Sequence, residues 1–159
     1  MRILFLGDVV GTTGCYKIQN NLLDQIKKKK IDFVIVNAEN AAEEGVGLTK
    51  EICEDFFKSG VNVITTGNHV WDQKEIMNFI DKENRLLRPK NLFEPAPGNG
   101  FGVYTTKENI KICVLNLMGN VFMKKCDDVF EVSKIFIENY KLKKDYDFLI
   151  VDFHGEITS

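Results

Sequence analysis

Two histidines, His69 and His154, are the only imidazoles in this chain, and each follows a short apolar run that stops abruptly at polar residues. His69 comes after Val61 to Thr65, in Gly67-Asn68-His69; His154 comes after Tyr146 to Val151, in Asp152-Phe153-His154-Gly155-Glu156. Two other runs end alike: Ile3 to Leu6 stops at Gly7-Asp8, and Phe33 to Val36 stops at Asn37-Ala38-Glu39-Asn40. As strands of an open α/β sheet, the four would bring their carboxyl ends to one crevice, where such sheets bind ligands. The residues delivered there are carboxylates (Asp8, Glu39), an amide (Asn68) and an imidazole (His154). This mixed oxygen and nitrogen set suits Mn, Fe or Zn, whereas an all-oxygen set would favour Mg or Ca. Singly, each has an ordinary use: Asp8 as a turn residue, Asn68 in a left-handed conformation, Glu39 as a loop carboxylate, His154 as a packed or exposed ring. Their shared place at strand ends points to a metal centre.

The elements that must position them follow from hydrophobic periodicity. Ile18, Leu22, Leu23 and Ile26 recur at helical spacing and predict a helix over 14–29, whose lysines 27–30 suit the negative end of its dipole. The run 33–36 is apolar on both faces, as a parallel strand covered on two sides must be. Thr49 is an N-cap for a helix through Phe57, closed by Ser59-Gly60. Asp72, with Glu75 three residues on, predicts a capped helix to Ile80. Phe101 to Tyr104 and Ile110 to Leu117 flank a hairpin turn at 107–109. A helix to about residue 139 leads to the last strand, over 146–151. The expected architecture is one α/β domain over 1–159, with a mainly parallel first sheet and an antiparallel contribution later. Pro89 to Gly100 is a loop within it.

Composition narrows the function classes. With 21 basic against 23 acidic residues and a formal charge of -2, no stripe exists for wrapping a long nucleic acid, but a small anionic substrate fits. Four scattered cysteines, Cys15, Cys53, Cys113 and Cys126, form no zinc motif or disulfide framework. The first apolar run is too short for a signal peptide or a membrane span, so the cytoplasm is the expected location. Gly7 to Gly14 is glycine-rich between strand and helix, yet neither the dinucleotide nor the P-loop spacing occurs. Trp71 could stack on a base; packing against the sheet is its expected use.

The motifs Gly7-Asp8-Val9-Val10-Gly11, Asn37-Ala38-Glu39-Asn40, Thr66-Gly67-Asn68-His69-Val70-Trp71-Asp72 and Asp152-Phe153-His154-Gly155-Glu156 resemble those of the YmdB-like branch of the calcineurin-like metallophosphoesterases. The resemblance implies that family's sandwich of helices flanking β-sheets and hydrolysis of cyclic nucleotides, chiefly 2′,3′-cyclic ones, at a dinuclear site. Fe or Mn are the expected metals, with Zn as the alternative. It implies that Asp8 binds the first metal, that Glu39 bridges the two, and that Asn68 and His154 bind the second. Asn40 would stand at the rim, and catalytic His69 would face the phosphate and protonate the departing ribose oxygen. Val10 and Glu39 replace a histidine and an aspartate of the wider superfamily, as this branch does.

A different class of function is a metal- or nucleotide-binding regulatory module with little turnover. The resemblance also implies a later Gly-x-His-x-His segment with two more ligands, whereas this sequence stops at Ser159. The chain is therefore expected to be a catalytic domain incomplete at its C-terminus. Its first metal would be held weakly, activity would be poor, and an uncovered sheet edge would favour homo-oligomers.

Overall fold

The computed structural model describes residues 1–93 and 95–156. In chain order its elements are β1 (Ile3–Leu6), α1 (Gly11–Lys29), β2 (Phe33–Asn37), α2 (Lys50–Lys58), β3 (Val63–Thr65) and β4 (Leu86–Leu87). They are followed by β5 (Phe101–Thr105), β6 (Lys111–Met118), α3 (Val129–Asn139) and β7 (Phe148–His154). β1 to β4 form one parallel sheet in sequence order. The second sheet runs β5-β6-β7, with β5 antiparallel to β6 but β7 parallel to it. The parallel pair follows from α3, which carries the chain back across the sheet as a crossover must.

Alternation along the strands sorts the core into layers. Phe33 and Ile35 of β2, with Val63 and Leu87, face the second sheet and meet Ile112 and Val114 of β6. Val34, Val36 and Ile64 point the other way, into a core with Ile18 and Leu22 of α1 and Phe56 of α2. Beyond the second sheet, Cys113, Leu115 and Leu117 pack with Phe136 of α3 and Tyr146. The result is two sheets face to face, with helices outside each. Full burial of an aliphatic or aromatic side chain is worth ~1.5–3 kcal/mol, so these facing layers supply much of the drive to dock the sheets. Trp71 is partly buried against the α1/α2 core.

Several boundaries differ from expectation for local reasons. Helix α1 begins at Gly11, not 14, because Gly11 takes a φ of +58° and its N–H donates to the Asn40 carbonyl at 2.8 Å. No side chain caps this end; the other ends in Lys27, Lys28 and Lys29, with Lys30 as a left-handed cap. Leu23, expected on the buried face, is 47% exposed. Thr49 caps α2 as expected, accepting from the Ile52 N–H at 3.3 Å. The helix predicted from Asp72 is instead two short 3-10 turns, Lys74–Asn78 and Ile80–Lys82. Its capping box does not form, since Glu75 accepts from the Lys50 N–H at 2.8 Å and Asp72 is engaged elsewhere. β7 runs on to His154, past the expected end at 151, and leaves Phe148, Val151 and Phe153 about half exposed.

Ile35 has no exposed surface and lies between the sheets. Ile35→Ala should destabilise the chain by ~2–5 kcal/mol, whereas Leu23→Ala should stay within ~0.5 kcal/mol. Urea unfolding of the two variants checks this difference.

Candidate metal centre

Toward the carboxyl ends the inner faces of both sheets change from apolar to polar. Along β2 the inward residues read Phe33, Ile35, Asn37; along β6, Ile112, Val114, Asn116; along β7, Ile150, Asp152, His154. Asn37 Nδ2 donates to Asp152 Oδ2 at 3.0 Å across the sheets. Asn116 accepts from the Thr66 N–H at 3.1 Å and donates to the Asp152 carbonyl at 3.3 Å. These groups are buried, so each is held to its partner by the cost of leaving it without one. Glu39 and His154 each stand two residues beyond a member of this layer.

There the sequence-predicted residues come together. Glu39 is 1% exposed, and its Oε1 lies 2.8 Å from His154 Nε2. The same nitrogen lies 2.7 Å from Asn68 Oδ1. Asn40 Nδ2 donates to both oxygens of Asp8 at 3.1 Å and faces Glu39 Oε1 at 3.5 Å, linking the exposed first carboxylate to the buried second one. The His69 N–H approaches Glu39 Oε2 at 3.4 Å. Gly67 leaves the room this requires, because a Cβ there would overlap Glu39 Oε2 and stand 2.6 Å from His154 Cδ2.

The donor chemistry fits a cation. One Nε2 proton cannot point straight at two oxygens that both lie within 2.8 Å, so the lone pairs of Glu39 and Asn68 crowd a position that a positive ion would relieve. A carboxylate as buried as Glu39 needs such compensation. Among the described residues no three His, Cys, Asp or Glu side chains form a metal-binding group, so a donor set at this point would have to count the amide of Asn68 beside Glu39 and His154. Asp8, joined to Glu39 through Asn40, would offer a second carboxylate beside this position.

His69 is not in that donor cluster. Its Nδ1 lies 2.6 Å from Asp72 Oδ2, and Lys124 Nζ contacts Asp72 Oδ1 at 3.1 Å. The His69 hydrogen bond, joined by Lys124 and opposed by burial, holds the Asp72 carboxyl below its ordinary range. Sequence reasoning assigned Asp72 to a helix cap and passed over Lys124; the Asn-His-x-x-Asp spacing was the one signal for Asp72. A cleft of about 740 Å³ between α1 and α2, lined by Tyr16, Glu43, Glu51 and Asp55 among others, contains none of these residues. The four cysteines are buried and free, with burial pushing Cys53 and Cys113 up to about 12, which removes them as nucleophiles.

A model of the YmdB-like protein family matches residues 4–159. Over all 159 residues the chain is 42% identical to a Bacillus subtilis (strain 168) protein named 2′,3′-cyclic-nucleotide 2′-phosphodiesterase and spans 59% of that protein. It superposes with a TM-score of 0.89 on a hypothetical protein from Thermus thermophilus, at 32% identity, covering 99% of this chain and 59% of the other. A phosphatase from Mycoplasma pneumoniae matches with a TM-score of 0.85 and 39% identity, over 98% of this chain and 55% of the other. The chain thus spans little more than half the length of these relatives.

Burial lowers the pKa of His154, but the hydrogen bond and charge of Glu39, aided by Asp152 and Asp8, outweigh it and raise the ring above the usual 6.5. In the metal-free chain the pair therefore stabilises fully below pH 6.5, and its contribution is lost as pH rises through the raised value. Titration of the His154 ring by NMR should show a midpoint above 6.5. In Glu39→Gln it should fall below the wild-type midpoint, because burial then acts with less opposition.

Proposed function

The chain belongs to the YmdB-like family, with the calcineurin-like metallophosphoesterase fold, and on that premise we propose that it is a metal-dependent phosphodiesterase acting on small cyclic nucleotides, 2′,3′-cyclic ones first. The observation that carries this reading is the meeting of Glu39, Asn68 and His154 at one point, with Asp8 joined to them through Asn40. Glu39, Asn68 and His154 would hold one ion, and Asp8 with Glu39 the other, as Fe, Mn or Zn. When bound, such ions supply Lewis-acid stabilisation of phosphoryl charge and a water of lowered pKa.

The chain's own residues supply the rest. Asp72 accepts a hydrogen bond from the Nδ1–H of His69 and orients the ring, so that in its protonated form Nε2–H faces the leaving group. Water attacks phosphorus in line and releases a proton to solvent, the bond from phosphorus to O2′ breaks, and O2′ takes the Nε2 proton of His69, which solvent then restores. The product is a 3′-phosphate. Asn40 fixes the orientation of Asp8 at the rim. The other reading is a cation-loaded module that binds nucleotide with little turnover.

Hydrolysis of bis-p-nitrophenyl phosphate and of a 2′,3′-cyclic nucleotide with added Mn separates the two readings. The enzyme reading expects turnover that Asp8→Asn and Glu39→Gln abolish; nucleotide binding without turnover for any of the three metals would establish the binding module instead. His69→Ala should lower kcat by ~10² to 10⁴ while metal content, measured by mass spectrometry, stays near wild type. Metal loss equal to that of Asn68→Ala would make His69 a ligand.

A further inference from the structure

The loop between β6 and α3 reaches the turn after β3 through Lys124. Its ammonium lies 2.8 Å from the backbone carbonyl of Asn68 and 3.1 Å from Asp72 Oδ1, across 56 and 52 residues of sequence. The other oxygen of that carboxylate is the one 2.6 Å from His69 Nδ1. A carboxylate is acceptor-only, so Nδ1 must carry the proton of this bond and the neutral ring is the Nδ1–H tautomer, with Nε2 as the free nitrogen. Held on both oxygens, the carboxylate cannot turn without losing a partner. The same ammonium restrains the backbone of Asn68, whose side chain meets His154.

We propose that Lys124 is a positioning residue for the His69 turn, setting the tautomer and orientation of the imidazole through Asp72 and the placement of the Asn68 amide through its carbonyl. Lys124 is 54% exposed, and an ion pair so exposed contributes little to stability. Its consequence is geometric, because a small displacement of a reacting group is costly in rate. The neighbouring Lys125 is placed over the Phe93 ring and does not duplicate it. The effect on turnover rests on the phosphodiesterase reading; the effect on the ring does not.

The test compares the wild-type chain with Lys124→Gln and Lys124→Arg. Since only two histidines exist, ¹⁵N spectra of the imidazoles at a pH where His69 is neutral resolve both rings. The wild type should show His69 as the Nδ1–H tautomer and Lys124→Gln a mixture of tautomers. With turnover measurable, Lys124→Gln should lower kcat roughly tenfold with KM within about twofold, and Lys124→Arg should recover most of it. An unchanged tautomer in Lys124→Gln would overturn the proposal. So would a raised KM with unchanged kcat, which would make Lys124 a substrate contact. A wild-type chain without turnover would count against the phosphodiesterase reading, and the ring spectra alone would then decide the role of Lys124.

Discussion

The hydrogen bond between Asn37 and Asp152 is the constraint on which the rest of the arrangement depends. It joins two sheets across 115 residues of sequence, in a layer where neither group reaches water freely. Apolar layers give the sheets their attraction but little directional preference, since hydrophobic burial is non-directional. The polar layer adds direction. A carboxylate this buried must meet its donor, and leaving a buried hydrogen-bonding group without its partner costs ~1–3 kcal/mol, more where the group is charged, so the sheets can slide only at a sizeable fraction of total stability. Among the described residues no buried side-chain nitrogen or oxygen lacks a partner. Glu39 and His154 inherit their spacing from this lock, each being two residues farther along its chain.

The centre then divides into two parts with different electrostatic characters. One is a nearly buried cluster of Glu39, Asn68 and His154, whose acceptors outnumber its protons. The other is the half-exposed group of His69, Asp72 and Lys124, in which every polar contact is a donor paired with an acceptor. The first is suited to hold a positive ion and the second to move a proton. The turn Gly67-Asn68-His69 belongs to both, and the missing side chain at Gly67 allows them to come so close.

Much of this was legible in the sequence because it is local. β1, β2 and β3 are uninterrupted apolar runs ending in polar residues, and Thr49 and Gly60 mark a helix by their own chemistry. What was not legible depends on partners far along the chain. Asp72 with Glu75 has the spacing of a capping box, but Glu75 is drawn to the N-terminus of α2 and Asp72 to His69, so tertiary contacts displace the local motif. Two-residue β4 is too short to show any period, and β7 runs on to His154 because β6 offers partners as far as Met118. Lys124 lies in a stretch with no pattern, and nothing near it in sequence announces its contacts with Asn68 and Asp72.

The parallel register that pairs Met118 with His154 has a consequence in time. β1, β2 and β3 can assemble with α1 and α2 from neighbouring stretches of chain, whereas β7 must wait for β5, β6 and α3. Contacts so distant in sequence carry a large loop-closure cost before they return any stability, and they form late. Asp8, Glu39 and Asn68 can therefore come together well before His154 joins them. In a chain emerging from synthesis, the crevice first holds the oxygen donors Asp8, Glu39 and Asn68, and the imidazole of His154 joins them last. The arrival of the last strand completes the mixed oxygen and nitrogen set, so the donor character of this crevice is settled late in folding.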